Sequence, residues 1–440
     1  MKTRRRLFTA YDMIKRLIYY SVIFFLTVGL LLIALIGVAK IPKSAIRSRM
    51  IETAEYLSTK AATHFAISRI RSSSIDWYAD SLLLNIAYNL DDQNTMESIM
   101  WTPFSGYTNQ HVSQYLLESA RDGLEPTQEY LRYWHGSAVI VRLEHLSLNI
   151  QQIYLLHAAI IVALCIWLLH VLISAGFKQE GVAFLISIIC VSIWFVPFCL
   201  EYTWVFLVML FFSVIVIKAA QRNQYDRMGS LFLIVGMVTV YLDFLSTETM
   251  TLLIPLLFIL RIREKNNCSD NWAFAIKNSM LWLFGYVGMW AMKWLIASIV
   301  LRQNVMPYVT GHIEERIGGS VHLPLWQFLI QAITRNTSRL FPFDYGLVGA
   351  IIFLFSIMMF VVYPIYTREI GIRMKIDRKQ TMLYLCLSLV PYVRYLVLHN
   401  HSWRHCNFTY RAQASTIFAL CLVIFEIIEF TPRRGMKRSV

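Results

Sequence analysis

Charge is scarce in this chain. Only 15% of its 440 residues are charged, against 57% apolar, and its mean hydropathy is +0.51. A soluble domain needs a polar shell around its core and does not reach such values. The composition excludes that class and predicts an all-α polytopic membrane protein. Acidic residues are fewer than basic ones, 27 against 41, leaving a net charge of +14. Such a balance would suit nucleic acid in a soluble protein, but over the short loops of a membrane protein it reports topology. Cysteine is sparse as well: Cys165, Cys190, Cys386 and Cys421 lie in apolar runs, Cys268 on an inner loop, and Cys199 and Cys406 near the outer face. Their spacing matches neither a disulfide framework nor a metal knuckle. Internal repeats and low-complexity tracts are absent, as are a G-x-G-x-x-G fingerprint and a P-loop.

Long apolar runs are what the chain does have. The first, residues 17–39, follows Arg4, Arg5, Arg6, Lys15 and Arg16 and is too long for the apolar core of a signal peptide, so it is expected to stay as a helix. Further spans are expected near 153–175, 182–199, 202–219, 228–243, 249–261, 276–298, 343–366, 380–398 and 409–430, about ten transmembrane helices in all. Threading them with the N-terminus in the cytoplasm puts 22 Lys and Arg on the inner segments and 5 on the short outer ones. That asymmetry predicts both termini inside. The expected layout is a cytoplasmic basic N-terminus (1–16), the first helix (17–39), an extracytoplasmic loop region (40–150), a multi-helix membrane domain (151–430) and a cytoplasmic basic tail (431–440).

The loop region is unlike the other connections. It carries 10 Lys and Arg and 12 Asp and Glu, nearly balanced. Helices are expected over 51–70 and 126–148, the second opening with Pro126 at a first helical position and placing Tyr130, Tyr133 and Trp134 at a membrane interface. A second outer segment, 301–342, holds Pro307, Gly311, Gly318, Gly319 and Pro324, a composition suited to a loop that folds over a site.

The polar clusters that could carry chemistry all thread to the outer side. Ser73 to Asp80 is the first: if Ser73 caps a helix, Asp76 and Asp80 lie four residues apart on one face and can divide the roles of general base and orienting or metal-binding partner. A capping box in which Asp76 only satisfies backbone donors fits the same residues. Arg132 to Gly136 is the second: Arg132 suits a phosphate, His135 stands beside it, and the aromatics suit a sugar face or an interfacial anchor. Asp243, in a polar stretch between two apolar runs, is either a functional carboxylate at membrane depth or part of a tight hairpin. Lys293 either snorkels or meets a lipid phosphate. The densest cluster comprises Arg394, His399, His401, Arg404, His405 and Arg411. It lacks the Glu of an H-E-x-x-H zinc motif and better suits a polyprenyl phosphate or pyrophosphate, or a generic headgroup interface.

With these residues in place the chain resembles the GT-C class of integral membrane glycosyltransferases. The likeness lies in the layout: a retained first helix, a large outer loop directly after it holding Asp76 and Asp80, a helix bundle and a late outer loop. The resemblance implies transfer of a sugar from a polyprenyl-phosphate-linked donor to a cell-envelope glycan or lipid acceptor, on the outer face of a bacterial cytoplasmic membrane. It implies Asp76 or Asp80 as base with Asp243 as a second candidate, and Arg132, His135, Lys293, His399, His401, Arg404 and Arg411 as the substrate and phosphate ligands. A divalent cation is left open as a cofactor, membrane lipids are expected partners, and nucleic acid is not. Larger members of the class have more spans and a lectin-like C-terminal domain, so subclass and acceptor stay open. A polymerase or ligase acting on a pyrophosphate-linked glycan and a lipid flippase are the alternatives; Glu426 and Glu429, near the inner end of the last span, bear on the flippase.

Overall fold

Six helical stretches are long and apolar enough, by length and composition, to cross a membrane: Tyr11–Ala39, Ile150–Ser174, Leu200–Gln221, Tyr225–Leu242, Asn271–Val300 and Cys406–Ile427. The computed structural model describes residues 10–67, 70–107, 112–317, 324–341, 370–374 and 377–432, with 348, 351, 352, 355 and 358. Apart from those last five residues, the span expected at 343–366 lies outside them, as do Gly318, Gly319 and the basic tail from 433. The six stretches coincide with six of the ten expected runs, and the protein is an all-α multi-pass membrane protein. The other described runs are broken. The helix Lys178–Cys190 gives way to a turn at Ser192 (φ 55°), Thr249–Lys265 has 17 residues with Pro255 inside, and the 380–398 run divides at Leu389 into two short helices.

In chain order, α1 (Ala10–Ala39) leads into α2 (Lys43–Ser58), a short ribbon of β1 (Thr63–Phe65) and β2 (Ser74–Asp76), α3 (Trp77–Asn89), α4 (Thr95–Trp101), α5 (Val112–Asp122) and α6 (Ala138–Glu144). The bundle follows as α7 (Ile150–Ser174), α8 (Lys178–Cys190), α9 (Leu200–Gln221), α10 (Met228–Leu242), α11 (Thr249–Lys265) and α12 (Asn271–Val300). After α13 (Met306–Ile317) and α14 (Leu325–Thr337) come β3 (Ile370–Met374), α15 (Arg378–Ser388), α16 (Val390–Val397), α17 (His399–Arg404), α18 (Cys406–Thr409), α19 (Ala414–Ile427) and β4 (Ile428–Pro432), which pairs with β3.

Without a hydrophobic drive between helices in lipid, close approach depends on small residues. A Cβ on Gly236 would lie 2.1 Å from the Trp282 carbonyl oxygen, and one on Gly285 would lie 2.2 Å from that of Leu233. These two glycines lock α10 against α12. At the end of the bundle away from the 40–149 segment, Arg261 gathers Glu180, Glu264 and Glu426, which accounts for the acid expected near the end of the last span.

Residues 40–149 pack over the other end, where basic side chains hold helix ends. A helix leaves its last four carbonyls unpaired and carries partial negative charge at that end. Arg142 donates to Val38 O at 3.0 Å and to the carbonyls of Ile41 and Ala87, clamping the ends of α1 and α3. Lys293 donates to Ile99 O and Met100 O at 2.8 and 3.1 Å, at the end of α4, and Arg47 donates to Ala120 O and Arg121 O at 2.9 and 2.7 Å, at the end of α5. Two expected helices are corrected here. The first covers 43–58 and yields to the ribbon, while 126–137 is extended and turned, with helix only from Ala138. Trp134 is therefore not an interfacial anchor: it is wholly buried, its indole donating to Met289 O at 2.7 Å.

Candidate functional site

Two neighbouring cavities open at the end covered by 40–149. The larger, about 260 Å³, is an apolar groove between α12 and α13. Tyr286, Val287, Trp290, Ala291 and Trp294 form one wall, and Val309, His312, Ile313 and Arg316 form the other. Each set recurs at helical spacing, so each is one face of its helix. Val287 is 56% exposed on a helix long and apolar enough to span a membrane, so the groove is open at that helix's side. Arg132, Tyr133, Leu245 and Leu398 complete the lining. The smaller cavity, about 110 Å³, is polar and holds Asp76, Glu201, His135, His401 and His405 among Tyr78, Tyr130, Tyr133, Phe244 and Phe408. Arg316 and Tyr133 line both, so the cavities meet at these two side chains.

The Asp76/Asp80 pair divides in a way that spacing alone does not predict. Ser73 is not the helix cap; its hydroxyl donates to Ile70 O at 2.7 Å, and the cap is Asp76, which accepts from Ala79 N at 3.0 Å. Asp76 faces the polar cavity. Burial raises its carboxyl above the ordinary range, against the opposing backbone N–H groups of Ala79 and Tyr78. Asp80 points the other way, fully buried, accepting from Tyr154 Oη at 2.5 Å, Leu200 N at 2.8 Å, Cys199 Sγ at 3.3 Å and Glu201 N at 3.4 Å. It caps α9 and does not line either cavity; burial pushes its carboxyl up to about 6. By fixing the first turn of α9, Asp80 places Glu201.

Glu201 is a cavity carboxylate that the sequence reading missed. It is 8% exposed, and its Oε2 is buried without a hydrogen-bond partner. The signal was available: an acid at the mouth of an apolar run is as costly there as Asp243 is. Asp243 itself closes a tight turn, accepting from Ser246 N at 3.0 Å and from the Ser246 hydroxyl, and it lines neither cavity. The turn is held by Arg394, which pairs with Glu248 at 2.9 Å and donates to Leu245 O at 2.5 Å.

His135 sits at φ 53°, and the next residue needs to be glycine, because a Cβ on Gly136 would lie 2.2 Å from the Tyr241 ring. Its Nε2 donates to Tyr130 O at 3.3 Å, leaving a buried Nδ1 as a bare acceptor. Burial, then the charge of Lys293, hold it neutral, well below the usual imidazole range. The rings of His401 and His405 meet at a tilt of 36°, with centroids 4.7 Å apart. Both are held low, first by burial, then by neighbouring arginines, and His405 reaches about 3. His405 Nε2 accepts from Arg316 at 3.4 Å.

The remaining expected ligands lie elsewhere. Lys293 is 1% exposed and engaged on α4, because two main-chain carbonyls meet it before it can reach headgroups. His399 packs against Phe328 and lines neither cavity. Arg411 is fully buried between Tyr202 and Tyr410, 4.4 and 4.8 Å from their rings, and lines neither cavity. Arg404 is at the rim, 4.0 Å from Glu315. Arg132 does line the groove, stacked at 4.4 Å on Tyr130.

Set against models of known protein families, curated proteins and solved structures, the chain matches none. Its chemistry is read from the two cavities alone. One is an apolar trough flanked by Arg132 and Arg316, the other a pocket of carboxyls and neutral imidazoles, and Arg316 stands at their junction.

Proposed function

We propose that the chain is a membrane glycosyltransferase of the GT-C kind, transferring a sugar from a polyprenyl-phosphate-linked donor to a hydroxyl acceptor. The observation that carries this reading is the junction. A lipid tail needs an apolar slot open to the bilayer, a phosphate needs guanidinium donors, and a sugar with its acceptor needs fixed polar groups. The apolar groove offers the first, Arg132 and Arg316 the second and the adjoining polar cavity the third, with Arg316 lining both.

In this mechanism the tail lies against Tyr286, Trp290 and Trp294, and the phosphate sits by Arg132 and Arg316. The bond from the sugar's anomeric carbon to the phosphate oxygen breaks, and its electron pair leaves on the phosphate. Arg132 and Arg316, in a largely dry site, stabilise that developing charge. The acceptor oxygen forms the new bond while its proton passes to Asp76, with Glu201 as the facing carboxyl. Two carboxyls in one buried cavity do not ionise equally, and Asp76, with two backbone N–H groups on it, is the one favoured as the anion. Among the described residues no group of three His, Cys, Asp or Glu is placed to hold a metal ion, and no step is assigned to one. The ten-span threading, with both termini cytoplasmic and this end outside, belongs to the same proposal.

Lipid-resolved mass spectrometry of membranes with and without the protein tests it. A sugar-loaded polyprenyl phosphate should accumulate when the protein is absent, and an unmodified glycan or lipid should appear beside it. Identical lipid and glycan profiles would remove the transferase reading.

A further inference from the structure

The groove faces a bilayer, and its arginines would attract any anionic phospholipid as readily as a donor. Glu315, on the helix that carries the groove-lining His312 and Arg316 but not itself in the lining, stands beside Arg132 at the groove's edge, within reach of such a headgroup. Its carboxylate is 3.8 Å from Arg132 Nη1 and 4.0 Å from Arg404 Nη1, and it accepts from His312 Nδ1 at 3.1 Å. Both arginine distances exceed hydrogen-bond length, so the carboxylate lies between the guanidiniums without docking on either. Burial opposes its charge, but His312, Arg316 and Arg132 together hold the carboxyl below its ordinary range, so it is an anion at neutral pH. Arg132, for its part, keeps a buried Nε without a partner. The helix bearing Glu315 is fixed separately: Asn400 Nδ2 donates to the Glu315 main-chain oxygen at 2.5 Å. The side chain can therefore swing away while α13 stays in place.

We propose that Glu315 is a specificity residue, a built-in competitor that occupies the phosphate position until a ligand with contacts in both cavities displaces it. This rests on the groove being a lipid-phosphate site. A bulk phospholipid brings a headgroup and nothing for the polar cavity, so displacing Glu315 leaves it little net gain. A donor adds a tail along the aromatic wall and a sugar beside Asp76 and Glu201, and it exceeds the threshold. Specificity here comes from the repulsive element as much as from the attractive one.

The test uses the full chain in nanodiscs of phosphatidylcholine with a rising share of phosphatidylglycerol, measuring binding of a polyprenyl phosphate that carries a radiolabelled hexose to wild type, Glu315→Gln and Asn400→Ala. Wild-type binding should be insensitive to phosphatidylglycerol. Glu315→Gln should bind roughly three- to tenfold more tightly in pure phosphatidylcholine, the size of one or two half-exposed ion pairs, and should lose binding as phosphatidylglycerol rises. Asn400→Ala, which loosens α13 without changing charge, should show no such gain. Weaker or unchanged binding by Glu315→Gln in phosphatidylcholine, an unaltered response to phosphatidylglycerol, or the same gain in Asn400→Ala would each overturn the competitor role. Absence of binding in wild type and both variants alike would remove the lipid-phosphate groove, and the inference with it.

Discussion

Replacing each of Asp76 and Asp80 by Asn and by Ala should give opposite patterns, although the two residues are one helical turn apart. Asp80→Ala leaves the Tyr154 hydroxyl and Leu200 N–H buried with no acceptor. At ~1–3 kcal/mol for each stranded group, the loss is about 2–6 kcal/mol. That is a large part of an ordinary domain's stability. Asp80→Asn keeps an oxygen for Leu200 N and removes a charge that burial disfavours. A carboxyl raised from 3.8 to about 6 adds stability that is full below its unfolded pKa and lost as pH rises through about 6. At pH 7 the ionised Asp80 thus carries a penalty on the order of 3 kcal/mol that Asn avoids, which offsets its poorer fit to the donors. The Asn variant should melt within a few degrees of wild type at pH 7 and lose the advantage below pH 4. Asp76→Asn remains a good helix cap, so it should melt like wild type while transfer falls at least ~100-fold. Thermal melts in detergent at pH 4 and pH 7, with glycan mass spectrometry on the same variants, measure both. Full transfer by Asp76→Asn, with none by a stably folded Asp80→Asn, would put the chemistry on Asp80 and refute the division.

Glu201→Gln should reduce transfer by at least ~100-fold without moving the melt, and should flatten the acid limb of the pH profile if Asp76 and Glu201 act as a pair; an unchanged rate would make Glu201 a bystander. Lys293→Met should cost about 2–4 kcal/mol in a denaturant or thermal melt by stranding the carbonyls of Ile99 and Met100, with donor binding by the folded fraction unaltered; selective loss of binding would restore Lys293 as a phosphate ligand. Arg316→Lys should weaken donor binding strongly, because a point charge does not replace a fork at the junction, whereas Arg404→Lys at the rim should be nearly neutral; equal effects would contradict the assignment of the junction. With Cys268 and Cys386 replaced, single cysteines at Gln93 and Arg404 should label from outside intact cells and those at Asn223 and Asn267 only after permeabilisation; the reverse order would invert the topology.

The pattern of apolar runs announced the bundle, and the gathering of polar clusters at one end was legible too, since Asp76, Arg132, His135 and His401 do meet around the two cavities. What failed was the assignment of direction. A spacing of four puts Asp76 and Asp80 on neighbouring positions of α3, but helix α9 arrives beside one and not the other, and only that arrival decides which carboxylate is a clamp. The same holds for the cations. Positive charge near the ends of spans was read as a hold on lipid phosphate, yet a short helix end offers unpaired carbonyls at closer range than any headgroup, and Arg142 and Lys293 take them. A buried cation satisfied by main-chain carbonyls has no charge partner to betray it in sequence. Glu201 shows the converse. Its acid at the mouth of an apolar run was visible, but its meaning depends on Asp80, 121 residues earlier, holding the turn that presents it. Asp80, a residue that positions the site, was thus among those chosen as catalytic candidates. Of the wall residues that the sequence reading overlooked, Glu201 was marked only by a charge at the mouth of an apolar run, and Arg316 only by its place in the outer segment 301–342.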